Sequence, residues 1–166
     1  MKGVIRMDNT LEFSSEANEE TLRNRYLTYQ VGNEMFGIQI RYVIEIVGLQ
    51  QITEMPEMPE YIRGIMNLRG KIIPVMDIRL RFGMPWREYD DRTCIIVINM
   101  DDVSVGLVID SVSDVLTISD NEIMNKPEMS TKSECDYISR IGRKDNQVIL
   151  LIDCEALLKK SDYQKI

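Results

Sequence analysis

From Arg25 onward the chain alternates short apolar runs with compact turn signals. YLTYQV, the pair Gly32-Asn33 and EMFGIQI read as two strands of a hairpin. CIIVINM, Asp101-Asp102 and VSVGLVI repeat that arrangement at the same strand lengths, across a pair with weaker turn propensity. At an offset of 69 residues Leu27 falls on Ile96, Phe36 on Val105 and Gly37 on Gly106, and the match continues through Val43 on Val112, Glu45 on Asp114 and Ile46 on Val115. An offset of 76 lays YIRGI (61–65) over YISRI (137–141), and IIPVMD (72–77) over VILLID (148–153). The extra seven residues then form an insertion in the second half, most simply within NKPEMSTKSECD, where a loop lengthens at little entropic cost. The chain reads as an internal duplication.

Short strands separated by turns predict mostly β structure, as small barrels rather than alternating strand and helix units. A half of about 65 residues buries too little apolar surface to stand alone. The two halves are therefore expected to pack together, with or without exchange of strands, and their junction is a candidate groove. Short helices are expected after Asp77, where IRLRF is followed by Gly83, and after Asp153, where CEALLKK ends in lysines. Residues 1–22 are polar and acidic without a sustained period and read as a flexible tail. The organisation expected is that tail, one domain over 23–160 with barrel subdomains at roughly 23–91 and 92–158, and a C-terminal tail over 161–166.

Composition narrows the function. A chain of 166 residues has room for one compact domain or two small subdomains. With 27 acidic and 20 basic side chains the net charge is −7, which disfavours nucleic-acid binding. No apolar run approaches the ~20 residues of a membrane span and the start lacks the pattern of a signal peptide, so a cytoplasmic protein is expected. Cys94, Cys135 and Cys154 are too few and too scattered for a disulfide framework or a metal knuckle and read as reduced and structural. The chain contains no histidine, which removes the commonest general base and zinc ligand. No cofactor, no metal and no enzymatic activity are expected.

Few motifs carry chemistry. Gly64-IMNLR-Gly70-Lys71-Ile72 has five residues between its glycines where a phosphate-binding loop has four. Isoleucine stands in place of Ser/Thr, no strand is read ahead of it and a strand follows, so nucleotide binding is rejected. Asp90-Asp91 and Asp101-Asp102 read as solvated turn acids. Most of the 11 methionines fill core, with Met55, Met58 and Met66 as candidates for an adaptable surface. Trp86 reads equally as a partner anchor or a lid on the core. In Asn67-Leu68-Arg69-Gly70, leucine sits where a solvated turn favours a polar residue, and Pro74 restricts the next strand to an edge or a bulge. A guanidinium on such a turn is placed to meet a partner's carboxylate or carbonyls. On that reading Arg69→Ala leaves the melting temperature within about 1 to 2 °C.

The strings FGIQIRYVIEIV, PEYIRGIMNLRGKIIPVMDIRLRFG, CIIVINM and VGLVIDSVSDVL, in this order over roughly residues 25 to 160, resemble the CheW chemotaxis coupling proteins. The resemblance implies a mainly β fold of two intertwined SH3-like five-stranded β-barrels sharing a hydrophobic core, with a few short helices, one of them near the C-terminus. It implies a non-enzymatic scaffold that couples the cytoplasmic tips of transmembrane chemoreceptors to the C-terminal regulatory domain of the histidine kinase CheA in membrane-associated arrays, without membrane insertion. By matching position, the receptor-binding surface would involve Val43, Glu45, Gly64, Arg69, Ile95, Gly106, Val112 and Val115. The kinase-facing surface is assigned no residues beyond the exposed strands of the second barrel. A generic small-β-barrel recognition module for proteins or peptides, outside chemotaxis, is the alternative.

Overall fold

The computed structural model describes residues 3–5, 11–13, 22–126 and 136–158; of 3–5 and 11–13 it describes the backbone. Thirteen strands lie in chain order among these residues: β1 (Gly3–Ile5), β2 (Leu11–Phe13), β3 (Arg25–Val31), β4 (Glu34–Gln39), β5 (Val43–Gly48), β6 (Ile62–Leu68), β7 (Lys71–Asp77), β8 (Cys94–Met100), β9 (Val103–Ile109), β10 (Ser111–Thr117), β11 (Ile123–Asn125), β12 (Ile138–Lys144) and β13 (Gln147–Ile152). Two four-residue helices, α1 (Ile78–Arg81) and α2 (Cys154–Leu157), follow β7 and β13. Each starts where an aspartate accepts from the first-turn backbone: Asp77 from the Leu80 N–H, and Asp153 from the Glu155 and Ala156 N–H groups.

Both expected hairpins form, and β6–β7 and β12–β13 make two more. Three of the four turn on a residue pair in the left-handed region: Arg69-Gly70, Asp101-Asp102 and Asp145-Asn146. Such pairs match the twist of the flanking strands. Asp and Asn tolerate positive φ because their short side chains bond locally, whereas arginine does so less readily, and Arg69 holds φ at +52°. β6 runs straight into its turn, which corrects the expectation that no strand precedes the Gly64–Gly70 segment. A nucleotide loop is still ruled out by the strand that follows.

The strands form a seven-stranded sheet, β1-β2-β5-β8-β9-β7-β6, and a six-stranded sheet, β10-β3-β4-β13-β12-β11. Setting aside β1, β2 and β11 leaves β5-β8-β9-β7-β6 and β10-β3-β4-β13-β12. Under the two sequence offsets these are the same sheet drawn twice. Each therefore takes its central hairpin from the opposite half of the chain: β8–β9 completes the first-half sheet and β3–β4 the second-half one. The joints are short parallel ladders, β7 on β9 and β13 on β4. β7 is not an edge strand, but its ladder to β9 begins at Val75, so Pro74, which has no N–H to donate, sits just before the joint.

Three apolar clusters result. Val47, Met66, Ile73, Val75, Ile95 and Val97 fill the inside of the seven-stranded sheet, with Val108. Tyr26, Ile118, Ile149 and Leu151 fill the inside of the six-stranded one. The largest cluster lies between the sheets and takes side chains from both, including Tyr29, Phe36, Ile38, Met76, Ile96 and Leu107. Met66 is fully buried, which removes it from the surface methionines, while Met55 and Met58 are half-buried. The backbone of β2 pairs with β5, Leu11 opposite Ile46 and Glu12 opposite Glu45, within the stretch read from sequence as a tail. The proposed insertion site overlaps 127–135, and the lysines after α2 also lie outside the described residues.

Candidate functional site

Glu45 lies on β5 and Arg69 at the tip of the β6–β7 hairpin, strands at opposite ends of the five-strand set. Their side chains nevertheless form a hydrogen-bonded ion pair. The sheet must therefore be rolled so that its outer strands approach, and the pair bridges that seam. The glutamate side chain is 4% exposed and the arginine 45%. A carboxylate so buried needs a partner. Asn67 fixes the turn by accepting from the Gly70 N–H at 2.8 Å. Beside it the Lys71 Nζ donates to the Ser104 hydroxyl at 3.0 Å, and Asn99 donates to the same oxygen. Arg69 is thus not simply solvated. The expectation that its removal leaves stability nearly unchanged took no account of this pair, and removal would take away the Arg69 partner of the buried Glu45 carboxyl.

The remaining predicted residues separate into two groups. Ile95 is fully buried inside the rolled sheet, which leaves it no surface for direct contact. Gly106 sits under it: a Cβ there would lie 2.8 Å from Ile95 Cγ2 and 3.1 Å from Met66 Cε. Gly64, at φ +144°, lets the 49–61 segment cross close, since a Cβ would fall 2.0 Å from the Thr53 carbonyl oxygen. That crossing is held by two backbone bonds between Thr53 and Ile65, at 2.8 and 2.9 Å. Val43, Val112 and Val115 instead face the cluster between the sheets, Val43 buried and the other two packed half-buried at its margin. Val112 and Val115 belong to the six-stranded sheet, opposite Tyr29 and Leu27, so the structure does not place them in one sheet with Glu45 and Arg69.

Duplication makes the ion pair distinctive. The repeat equivalents of Glu45, Arg69 and Gly70 are Asp114, Asp145 and Asn146, so the second sheet has two acids where the first has a pair of opposite charges. The scaffold is copied and the pair is not. Asn67 and Lys71, at the turn, and Ser104 and Asn99, joined to Lys71 by hydrogen bonds through the Ser104 hydroxyl, were missed from sequence as site residues. The Asn in the turn string was the one available signal for them.

A second charged cluster ties the halves together elsewhere. Asp110, between β9 and β10, accepts from Arg79 of α1 at 2.6 to 3.1 Å, from the Gly32 N–H at 2.8 Å and from Arg87. Burial alone would raise its pKa, but the hydrogen bonds from Arg79 and Gly32 and the two guanidinium charges outweigh it and hold the carboxyl below the usual range. Asp77 accepts from the Tyr89 hydroxyl at 2.7 Å, anchoring the segment that carries Trp86. The indole is half exposed with Tyr89 beside it. Cys94 and Cys154 are free thiols, raised by burial to about 11 and about 12. Cys135 lies outside the described residues. No group of three or more Cys, Asp or Glu able to hold a metal occurs among the described residues, and no helix there is long and apolar enough to cross a membrane.

The chain is similar to known proteins in sequence and in fold. The family model described as CheW-like domain matches residues 25–162. The chain is 36% identical over 143 residues to chemotaxis protein CheW of Klebsiella aerogenes, covering 86% of each. It is 34% identical over 140 residues to chemotaxis protein CheW of Bacillus subtilis, covering 84% of this chain and 90% of that one. The crystal structure of scaffolding protein TtCheW from Thermoanaerobacter tengcongensis superposes with a TM-score of 0.76 at 34% identity, over 82% of this chain and 92% of the other. The mainly β architecture of two SH3-like subdomains with few short helices is that of the relatives. On the extent and agreement of these matches, the chain belongs to the CheW-like domain family.

Proposed function

We propose that this protein is a non-enzymatic scaffold that couples transmembrane chemoreceptors to the histidine kinase CheA, working in the cytoplasm at membrane-associated arrays. The observation that carries the reading is the family match across residues 25–162. Two features support it. Half-buried Val112 and Val115 at the margin of the central cluster present apolar side chains of the kind that an amphipathic helix buries. The unduplicated Glu45–Arg69 pair lies on one sheet, where a charged partner side chain meeting it would set register. We assign receptor recognition to the margin formed by Val43, Val112 and Val115 together with the Arg69 turn. Gly64, Ile95 and Gly106 shape that surface from behind. A generic recognition module outside chemotaxis leaves the family agreement unexplained.

The test is calorimetric titration of the protein into the kinase's C-terminal regulatory domain and into a soluble receptor-tip fragment. Because Arg69→Ala alone strands Glu45, the variant of choice is Glu45→Gln with Arg69→Gln, which keeps a neutral hydrogen-bonding pair. The wild type binds both partners, and the double variant weakens the receptor titration alone. Absence of binding to either partner by the wild type overturns the reading.

A further inference from the structure

The junction of the two halves contains a buried arginine with no carboxylate partner among the described residues. Arg81, the last residue of α1, is 7% exposed and forms no ion pair among the described residues. Its Nε and Nη2 both donate to the Leu157 carbonyl oxygen, at 3.1 and 3.0 Å. Its Cζ stands over the Tyr61 ring at 4.3 Å from the centroid and over the Tyr137 ring at 4.8 Å. Tyr137 stacks in turn on Phe82, with centroids 5.5 Å apart.

Under the 76-residue offset these contacts have a symmetry of their own. Tyr61 and Tyr137 are repeat equivalents, and so are Arg81 and Leu157. The tyrosine carbonyls make matching bonds, accepting from the Asp77 N–H at 2.7 Å and from the Asp153 N–H at 2.8 Å. A side chain that bonds its own repeat equivalent and lies between two others that are equivalent sits where the halves are related to each other. Tyr61 leads into β6 and Arg81 ends the helix after β7; Tyr137 leads into β12 and Leu157 ends the helix after β13. One guanidinium therefore gathers the entry and exit of both outer hairpins. Desolvated aromatic faces and a helix-end carbonyl together supply the negative potential that a carboxylate would otherwise provide. A planar fork does this; a lysine ammonium has neither the two parallel donors nor the flat face.

We infer that Arg81 is the clasp that fixes the relative orientation of the two rolled sheets. Strand exchange already prevents their separation, yet it leaves the outer hairpins free to tilt about the central cluster, and Arg81 removes that freedom. The inference rests on the fold and not on the scaffold reading, so the two fail independently.

The test compares wild type with Arg81→Met, which keeps the apolar stem and volume, and Arg81→Lys, which keeps the charge. Nitroxides are attached at positions 102 and 145, exposed turn residues on different sheets, through a ketone-bearing amino acid that leaves the cysteines untouched. The wild type gives one narrow inter-label distance. Arg81→Met broadens it and speeds amide exchange at Phe82 and Leu158 by about tenfold or more, while the central strands β8, β9, β3 and β4 stay protected. Arg81→Lys falls between them. An unchanged distance distribution in Arg81→Met overturns the inference, and so does exchange that rises equally through the central strands; should Arg81→Met fail to fold, a narrow wild-type distribution in Arg81→Lys overturns it.

Discussion

Only 4% of the Glu45 side chain is exposed, and Arg69 comes across the seam to meet it. Breaking a buried pair from one side typically costs about 3–5 kcal/mol. With Arg69 nearly half exposed, water fills part of the gap, and Arg69→Ala should destabilise by about 1–3 kcal/mol in urea unfolding. A loss below the error of that measurement would mean that Glu45 finds another partner. Tyr29 presents the opposite case. Its ring stacks on Phe36 at a centroid distance of 5.9 Å, its hydroxyl is fully buried without a hydrogen-bond partner among the described residues, and burial raises its pKa. Tyr29→Phe removes an orphaned polar atom and keeps the ring, so unfolding free energy should stay level or rise by about 1 kcal/mol. At this scale the sequence showed which residue types are unusual but not whom they meet. Arg69 stood out in its turn string, whereas its partner lies 24 positions earlier on a strand that the linear pattern gives no reason to place nearby.

Among the elements, hairpins and caps were legible because they are written locally: a two-residue turn, a period of two, an aspartate before a short helical run. The exchange of the central hairpins was left open, since both halves present the same apolar faces and alternation does not say which copy a strand joins. The Asp110 cluster is the polar tie across that exchange, linking the β3–β4 turn, α1 and the β9–β10 junction. Its folded pKa lies below the unfolded value of about 3.9, so its stabilisation is fully present above that value and is lost as pH falls through the folded one. Urea midpoints of wild type and Asp110→Asn should therefore differ at pH 6 and converge toward pH 3. A gap that holds constant over this range would show that the carboxylate's charge is not what matters. Gly64 controls another tie, between β6 and the 49–61 segment. Gly64→Ala drives a methyl into the Thr53 carbonyl at a positive φ, and should cost about 2–3 kcal/mol with loss of amide protection at Thr53 and Ile65.

For the whole molecule, neither half of the sequence contains a complete sheet. Residues 1–91 lack β8–β9 and residues 92–166 lack β3–β4. Each fragment expressed alone should give no cooperative melt, and the two mixed should restore one at stoichiometric ratio, as far-UV circular dichroism would report. A cooperative transition in either fragment alone would contradict the interlock. The same interlock orders events during synthesis. The first-half sheet has its last strand only when β9 leaves the ribosome, and the second-half sheet only at β13, within about the last tenth of the chain. Until then the β3–β4 hairpin waits with its apolar face uncovered. The nascent chain thus depends on chaperone shelter or rapid translation of its second half more than a protein of this size with two sequential barrels would, and a stalled ribosome would leave a sticky product, not a usable half.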